Sequence, residues 1–440
     1  LVDAGNVRAV FGGHIHRMRY DPRDGIEYVT LATVGGHQRS LSPDGGWLHE
    51  FHLVTVRPDR IAMAAVPVAT LLDPRAITGD LTADLERIAR VPINARTSAV
   101  LAVDGAARGE FAFELHNPSA IPIDVTVLPE ARSMASGWRF GPDHLHRRLE
   151  PGATASVAMR LHRDAQPVDA SLELPAVTIA SEGLAGGRRY AVRPRTVEPA
   201  IVVSVPDAQR TLARRPGAVD RALDFDGVDD HLVVPGAALA VPDGPFTVEA
   251  WLQADHFDGR TGLVCRTESS EWGLFVNAGV PSFLVHLSGR YTTALPILAD
   301  DGQPPLEPGR WHHLAGVYDG REVRLYLDGR QIASAAGEGS RTPNNLPIII
   351  GGDVDGAGTA TSFFDGRIDG VRIRRGAAYT GDQFVPRRNE PAEAEDLLHL
   401  RLDWSYGPWW LDGSDAEAHA RIGGAGGPVP VPVAGPAEGG

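Results

Sequence analysis

Near the start of the chain the segment VRAVFGGHIHRMRY, Val7 to Tyr20, puts His14 and His16 two residues apart, behind Gly12, Gly13 and an apolar run. On an extended segment residues i and i+2 project to the same side, so both imidazoles would face one pocket at a strand end. The glycines would let the backbone come close. Such a pair suits a transition metal; taken alone, it reads better as an exposed or structurally satisfied pair. A second set of chemical groups is carboxylates. Asp224, Asp226 and Asp229 crowd into ALDFDGVDDHLVVP, and Asp369 sits in FDGRIDGVRI. Asp369 shares strand parity with Val371 and Ile373, so on a regular strand its carboxylate would lie on the apolar side and need a cation or hydrogen bonds.

Other candidates are weaker. His37 follows TVGG and would line the same cleft as the histidine pair, or stand on a surface loop. His144 and His146 repeat the i, i+2 spacing without a glycine loop or acid cluster. Trp251 and Trp311 fall in strand phrases and read as packing. Trp404, Trp409 and Trp410, beside Tyr406, would either stack on sugars or pack a last strand against its neighbour.

The elements that must position these groups are mostly strands. The 440 residues suggest two to four domains. With 50 Gly and 34 Pro and few long helical patterns, the fold class is mainly β. Residues 71–91 hold the best short helix, with Leu81, Leu85 and Ile88 at helical spacing and Thr82 as an N-cap candidate. Residues 93–205 alternate at period two between Asn-Pro, Pro-Gly and Gly-Gly signals, which implies a β-sandwich. Residues 206–219 break the alternation and read as a linker. Asp319-Gly320 and Asp328-Gly329 predict hairpins in a third block, 220–384. A strand segment follows at 385–422 and a Gly/Pro-rich tail at 423–440.

The 56 acids outnumber 42 bases, all of them Arg, for a net charge of −14. An acidic chain without basic runs excludes nucleic acid as the expected partner. The single Cys265 excludes an intrachain disulfide framework. No apolar run reaches the 18 or so residues of a membrane span.

Two resemblances add to this reading. VRAVFGGHIHRMRY followed by DGIEYVTLATVGGH resembles the final motif of the calcineurin-like metallophosphoesterases. It implies that residues 1–92 are the C-terminal remnant of that family's α/β sandwich, with His14 and His16 as ligands of a binuclear iron, zinc or manganese centre. The implied reaction is hydrolysis of a phosphoester substrate, in which two metals activate water and clamp the attacking and leaving oxygens. The family's Asp-x-His, Gly-Asp and Gly-Asn-His motifs do not follow in order, so the chain is expected to be inactive by itself. Residues 93–205 resemble the immunoglobulin-like accessory domains of secreted bacterial enzymes. From LDFDGVDDHLVVP through FTVEAW, GRWHHLAGVYDG and LYLDG to FDGRIDGVRI, residues 220–384 resemble a laminin G-like, concanavalin A-like jelly roll. That implies an extracellular or cell-surface protein whose sandwich binds a polysaccharide or an extracellular protein. It also implies calcium between the first and last strands, on Asp226 and Asp369 with Asp224 or Asp229; the Asp-Gly pairs read equally as turn caps. An adhesion module without catalysis is the alternative to the phosphoesterase.

Overall fold

The computed structural model describes residues 6–36, 42–67, 70–91, 93, 95–198, 201–214, 220–298 and 305–433. The chain divides into two compact units, Leu1–Pro167 with Glu173–Ser204, and Val168–Leu172 with Val205–Gly440.

In the first unit, strand Ala9–Gly12 pairs in parallel with Ile26–Thr30, whose other edge takes Arg19–Arg23 antiparallel. Glu50–Val56 and Ile61–Pro67 form a separate hairpin. The helix is Gly79–Ala89, and its cap is Thr78, whose hydroxyl accepts from the Leu81 N–H at 3.2 Å. Thr82, the expected cap, lies inside the helix and donates its hydroxyl to the Gly79 carbonyl. Capping by Thr78 fills one of the four orphan N–H sites of the first turn.

Two sheets follow, antiparallel except where Val202–Val203 pairs in parallel with Val100–Leu101. One runs Arg139–Gly141, Thr154–Arg163, Ala107–His116, and the other Leu145–Leu149, Ile123–Pro129, Val177–Ala185. Phe111, Phe113, Met159 and Leu161 of the first, and Val125, Val127 and Ile179 of the second, are buried. The helix belongs to the same unit: a Cβ on Gly183 would meet Leu85 Cδ2 at 2.8 Å. Asp84 Oδ1 also accepts from the Ala120 N–H. The boundary expected at 92/93 thus falls inside one compact unit.

The second unit is the jelly roll. Fourteen strands form one hydrogen-bonded path, from Arg290–Ala294 at one end to Arg330–Ala336 at the other. Its core joins Phe246, Val248, Ala250 and Leu252 of one strand to Trp272, Leu274, Phe283, Ile368, Val371, Leu400 and Trp410. The first strand, Arg221–Asp226, pairs with Asp365–Arg375 on one side and Val429–Pro432 on the other. Part of the expected tail is therefore a strand. Of the expected linker, Asp207–Arg214 is a helix, and its Arg210 and Arg214 lie 3.5 Å from Glu417. Both expected Asp-Gly hairpins form. Asp328 and Gly329 both have positive φ, 48° and 79°, the left-handed pair that a two-residue hairpin turn requires.

Candidate functional site

The acidic turn after the first jelly-roll strand is built by its own backbone. Asp226 Oδ1 accepts from the N–H groups of Val228, Asp229 and Asp230 at 2.9, 3.2 and 3.3 Å. Gly227, at φ 70°, supplies the left-handed bend this wrap needs. Those donors hold the Asp226 carboxyl below its ordinary range. Asp230 moves the other way, raised by burial and by the Asp226 charge. Its Oδ2 accepts from the Asp226 N–H, and Asp229 Oδ2 accepts from Ala425.

One ligand oxygen from each of Asp226, Asp229 and Asp230 lies within 4.8 Å of the others. The turn thus brings three hard oxygens to one small volume. That donor set fits calcium better than a softer metal.

The sequence reading joined Asp226 to Asp369, and the register corrects it. Asp226 stands opposite Asp365, four residues before Asp369 on the facing strand. Asp224 is engaged across the strands by Arg367, at 3.5 Å. Asp369 is not on the apolar side. Trp251 pairs with Asp369 and Glu249 with Arg372, so the later strand carries an extra residue between them. Gly370, at φ 56°, makes this bulge and reverses the parity, leaving Ile368 and Val371 in the core while Asp369 turns to the opposite face.

On that face Asp369 is 1% exposed and its cation is a guanidinium. Arg388 Nη2 lies 3.1 Å from Asp369 Oδ2. The guanidinium carbon stands 5.1 Å from the Trp251 ring centre and 4.1 Å from that of Trp311. Burial pushes the Asp369 carboxyl up to about 7, against the opposing pull of Arg388. The two indoles are therefore covered by an arginine rather than sunk in the core.

Arg388 belongs to a segment that also lays Tyr379 and Phe384 over this sheet, stacked on each other at 3.5 Å. The Tyr379 hydroxyl donates to the buried Glu249 at 2.6 Å, and Phe384 meets His313 edge-on. Sequence reasoning missed this covering segment; the aromatic pair in AAYTGDQF was the signal for it. Trp409 and Trp410 are each 4% exposed and pack rather than present a sugar platform.

His14 and His16 are brought to one loop but not onto an extended segment. Their φ values are 85° and 56°, so the same-side projection expected for i and i+2 does not apply. His14 is exposed. His16 lies against the Gly35-Gly36 turn, where a Cβ on Gly36 would come 2.6 Å from its Cε1. Among the described residues, neither joins a group of three potential metal ligands. His37 lies outside the described residues. His144 is exposed beside Asp143, and among the described residues no helix is long and apolar enough to cross a membrane.

Comparison with known proteins places the jelly roll. Residues 226–380 match the family described as the Concanavalin A-like lectin/glucanases superfamily, Laminin_G_3. Pappalysin-1 of Mus musculus is 32% identical over 136 residues, 28% of this chain and 8% of pappalysin-1. The chain thus spans a small fraction of the curated relatives that it matches. Among solved structures, a putative carbohydrate binding protein from Bacteroides ovatus ATCC 8483 aligns at 14% identity with a TM-score of 0.39, over 78% of this chain and 99% of that one. Mouse laminin alpha1 chain domains LG4-5 align at 13% identity with a TM-score of 0.29, over 61% of this chain and 88% of that one. The metallophosphoesterase and immunoglobulin-like resemblances rest on sequence phrases alone. With the strand path, the first-to-last strand pairing and the family match in agreement, residues 226–380 are a laminin G-like, concanavalin A-like jelly-roll domain.

Proposed function

We propose that this chain acts as a binding module, holding an extracellular carbohydrate, or a protein of the extracellular matrix, through its jelly roll. The observation that carries the reading is the match of residues 226–380 to a lectin-containing family, on strands that form a jelly-roll sandwich. Extracellular placement follows the same resemblance. Screening the full chain against arrayed glycans and matrix proteins tests it. Saturable binding to a defined glycan or protein supports the reading, and no binding to either array rejects it.

Calcium belongs to this proposal, held by Asp226, Asp229 and Asp230 with backbone carbonyls completing the shell. A cation that binds only the native state stabilises it by about 2.7 kcal/mol at a hundredfold excess over Kd. Millimolar calcium is expected to raise the unfolding midpoint of the C-terminal unit relative to chelator, and Asp229→Asn with Asp230→Asn to remove the shift. An unchanged midpoint in the unsubstituted chain would count against the ion.

One observation favours a second reading for residues 6–67, that they descend from a phosphoesterase using iron, zinc or manganese. Large apolar side chains left exposed together on strands mark a surface that another element covers. Here Ala9–Gly12 is parallel to Ile26–Thr30 with Phe11 40% exposed, and Phe51 and Leu53 of the neighbouring hairpin are more than half exposed. A reading frame carrying Asp-x-His, Gly-Asp and Gly-Asn-His motifs upstream, with His14→Ala abolishing metal-dependent aryl phosphate hydrolysis in that longer protein, would support it. Full activity in the mutant would make the pair structural.

A further inference from the structure

The first unit holds a feature that neither the jelly roll nor the histidine loop uses: a groove across three strands, lined by Arg108, Gly109, Arg139, Phe140, Arg160 and His162. Register puts Arg139, His162 and Arg108 side by side in one row, with Gly141, Arg160 and Glu110 in the next row on the same face. Neighbouring strands are ~4.8 Å apart, so the three basic side chains of the first row start within ~10 Å.

This chain, rich in acids, leaves the guanidinium groups of this face without a carboxylate partner among the described residues. Arg139 donates only to the Met134 and Trp138 carbonyls, and among the described residues no carboxylate pairs with Arg108 or Arg160. Glu110 faces Arg160 in register but forms no ion pair with it. Asp164 meets His162 at 2.8 Å from the rim, where it is 87% exposed. Gly141 adds no side chain beside Arg160 in that second row.

We propose that this groove binds an anionic polysaccharide, its guanidinium groups taking the oxyanions of the polymer. Three planar forks suit sulfate or carboxylate groups, which share two or more acceptor oxygens in one plane. The lining crosses three adjacent strands, so the cations lie along a line that a polymer can follow. Nucleic acid is disfavoured because the chain has a net charge of −14 and no basic runs to neutralise a phosphate backbone.

The test titrates the full chain with dextran sulfate and with polygalacturonate, using uncharged dextran as reference, at ~50 and ~200 mM salt. At least one anionic polymer is expected to bind, more weakly at the higher salt, and dextran not at all. Binding by dextran sulfate alone assigns sulfate as the recognised group, and by polygalacturonate alone assigns carboxylate. Arg108→Ala, Arg139→Ala and Arg160→Ala are each expected to weaken binding roughly tenfold, and the triple variant to abolish it. Glu110→Gln should tighten it. Arg160→Lys, which keeps the charge but not the fork, should fall between wild type and alanine. An unchanged unfolding midpoint controls for folding at these exposed positions. Failure of both polymers to bind, full affinity in the triple variant, or equally tight binding of single-stranded DNA at ~200 mM salt would overturn the proposal.

Discussion

Trp272→Ala is expected to destabilise the C-terminal unit by about 3–5 kcal/mol. Trp272 is fully buried, with its ring centre 5.9 Å from that of Phe246. Phe246 in turn meets Phe283 and Tyr318 edge-on at 6.0 and 6.3 Å, and Arg341 caps its ring at 4.8 Å. Removing the indole opens a cavity beside Phe246, in a core where strand packing limits the collapse that would close it. Trp272→Phe keeps a ring in place and removes an indole N–H that has no hydrogen-bond partner among the described residues, so it should cost less. Denaturant unfolding, followed separately for the two units, measures both. Equal and small losses for the two variants would mean that the packing here is looser than described.

Asp369 produces the second large effect, and its sign is unusual for a carboxylate. Its folded pKa is raised to about 7 by burial, with Arg388 opposing and Asp220 and Asp403 adding to the rise. Between pH ~4 and ~7 the unfolded chain has released this proton while the folded chain keeps it, so the folded state binds more protons and stability falls as pH rises. The stabilisation is complete below the unfolded value and lost by about pH 7. Moving this carboxyl from 3.8 to about 7 corresponds to about 4 kcal/mol across that window. Asp369→Asn has no such proton to lose. Wild-type stability minus variant stability should therefore decline by about that amount from pH ~4 to ~7, whatever the other carboxylates contribute to both proteins. Parallel stability profiles would show that Asp369 is ionised throughout.

Where local pattern decides structure, the sequence was readable. Alternation in FTVEAWLQA follows the buried strand Phe246–Ala254, and Asp-Gly pairs mark real turns because only a few residue types tolerate two successive left-handed conformations. The failures have physical causes too. A one-residue bulge at Gly370 is invisible to parity counting, yet it moves Asp369 to the other face of its sheet. The partner of Asp369 lies 19 residues away on a segment that no periodicity marks, so the need for a cation was legible and its identity was not. Asp230 joins Asp226 and Asp229 only because the turn after Gly227 folds it back, and that fold-back leaves no periodicity in the sequence. The His14-Ile15-His16 spacing suggested a common direction only under an extended backbone, and two positive φ values remove that premise.

The proposed binding role of the chain is tested most directly by a single incubation. The full chain is mixed with insoluble polysaccharides and an aryl phosphate in the presence of calcium and manganese. Bound protein is then measured in the pellet, and reducing ends and phosphate in the supernatant. Saturable retention on at least one polysaccharide, without release of sugar or phosphate above the protein-free control, is the predicted result. Steady release of either product by a chain that stays in the supernatant would contradict it.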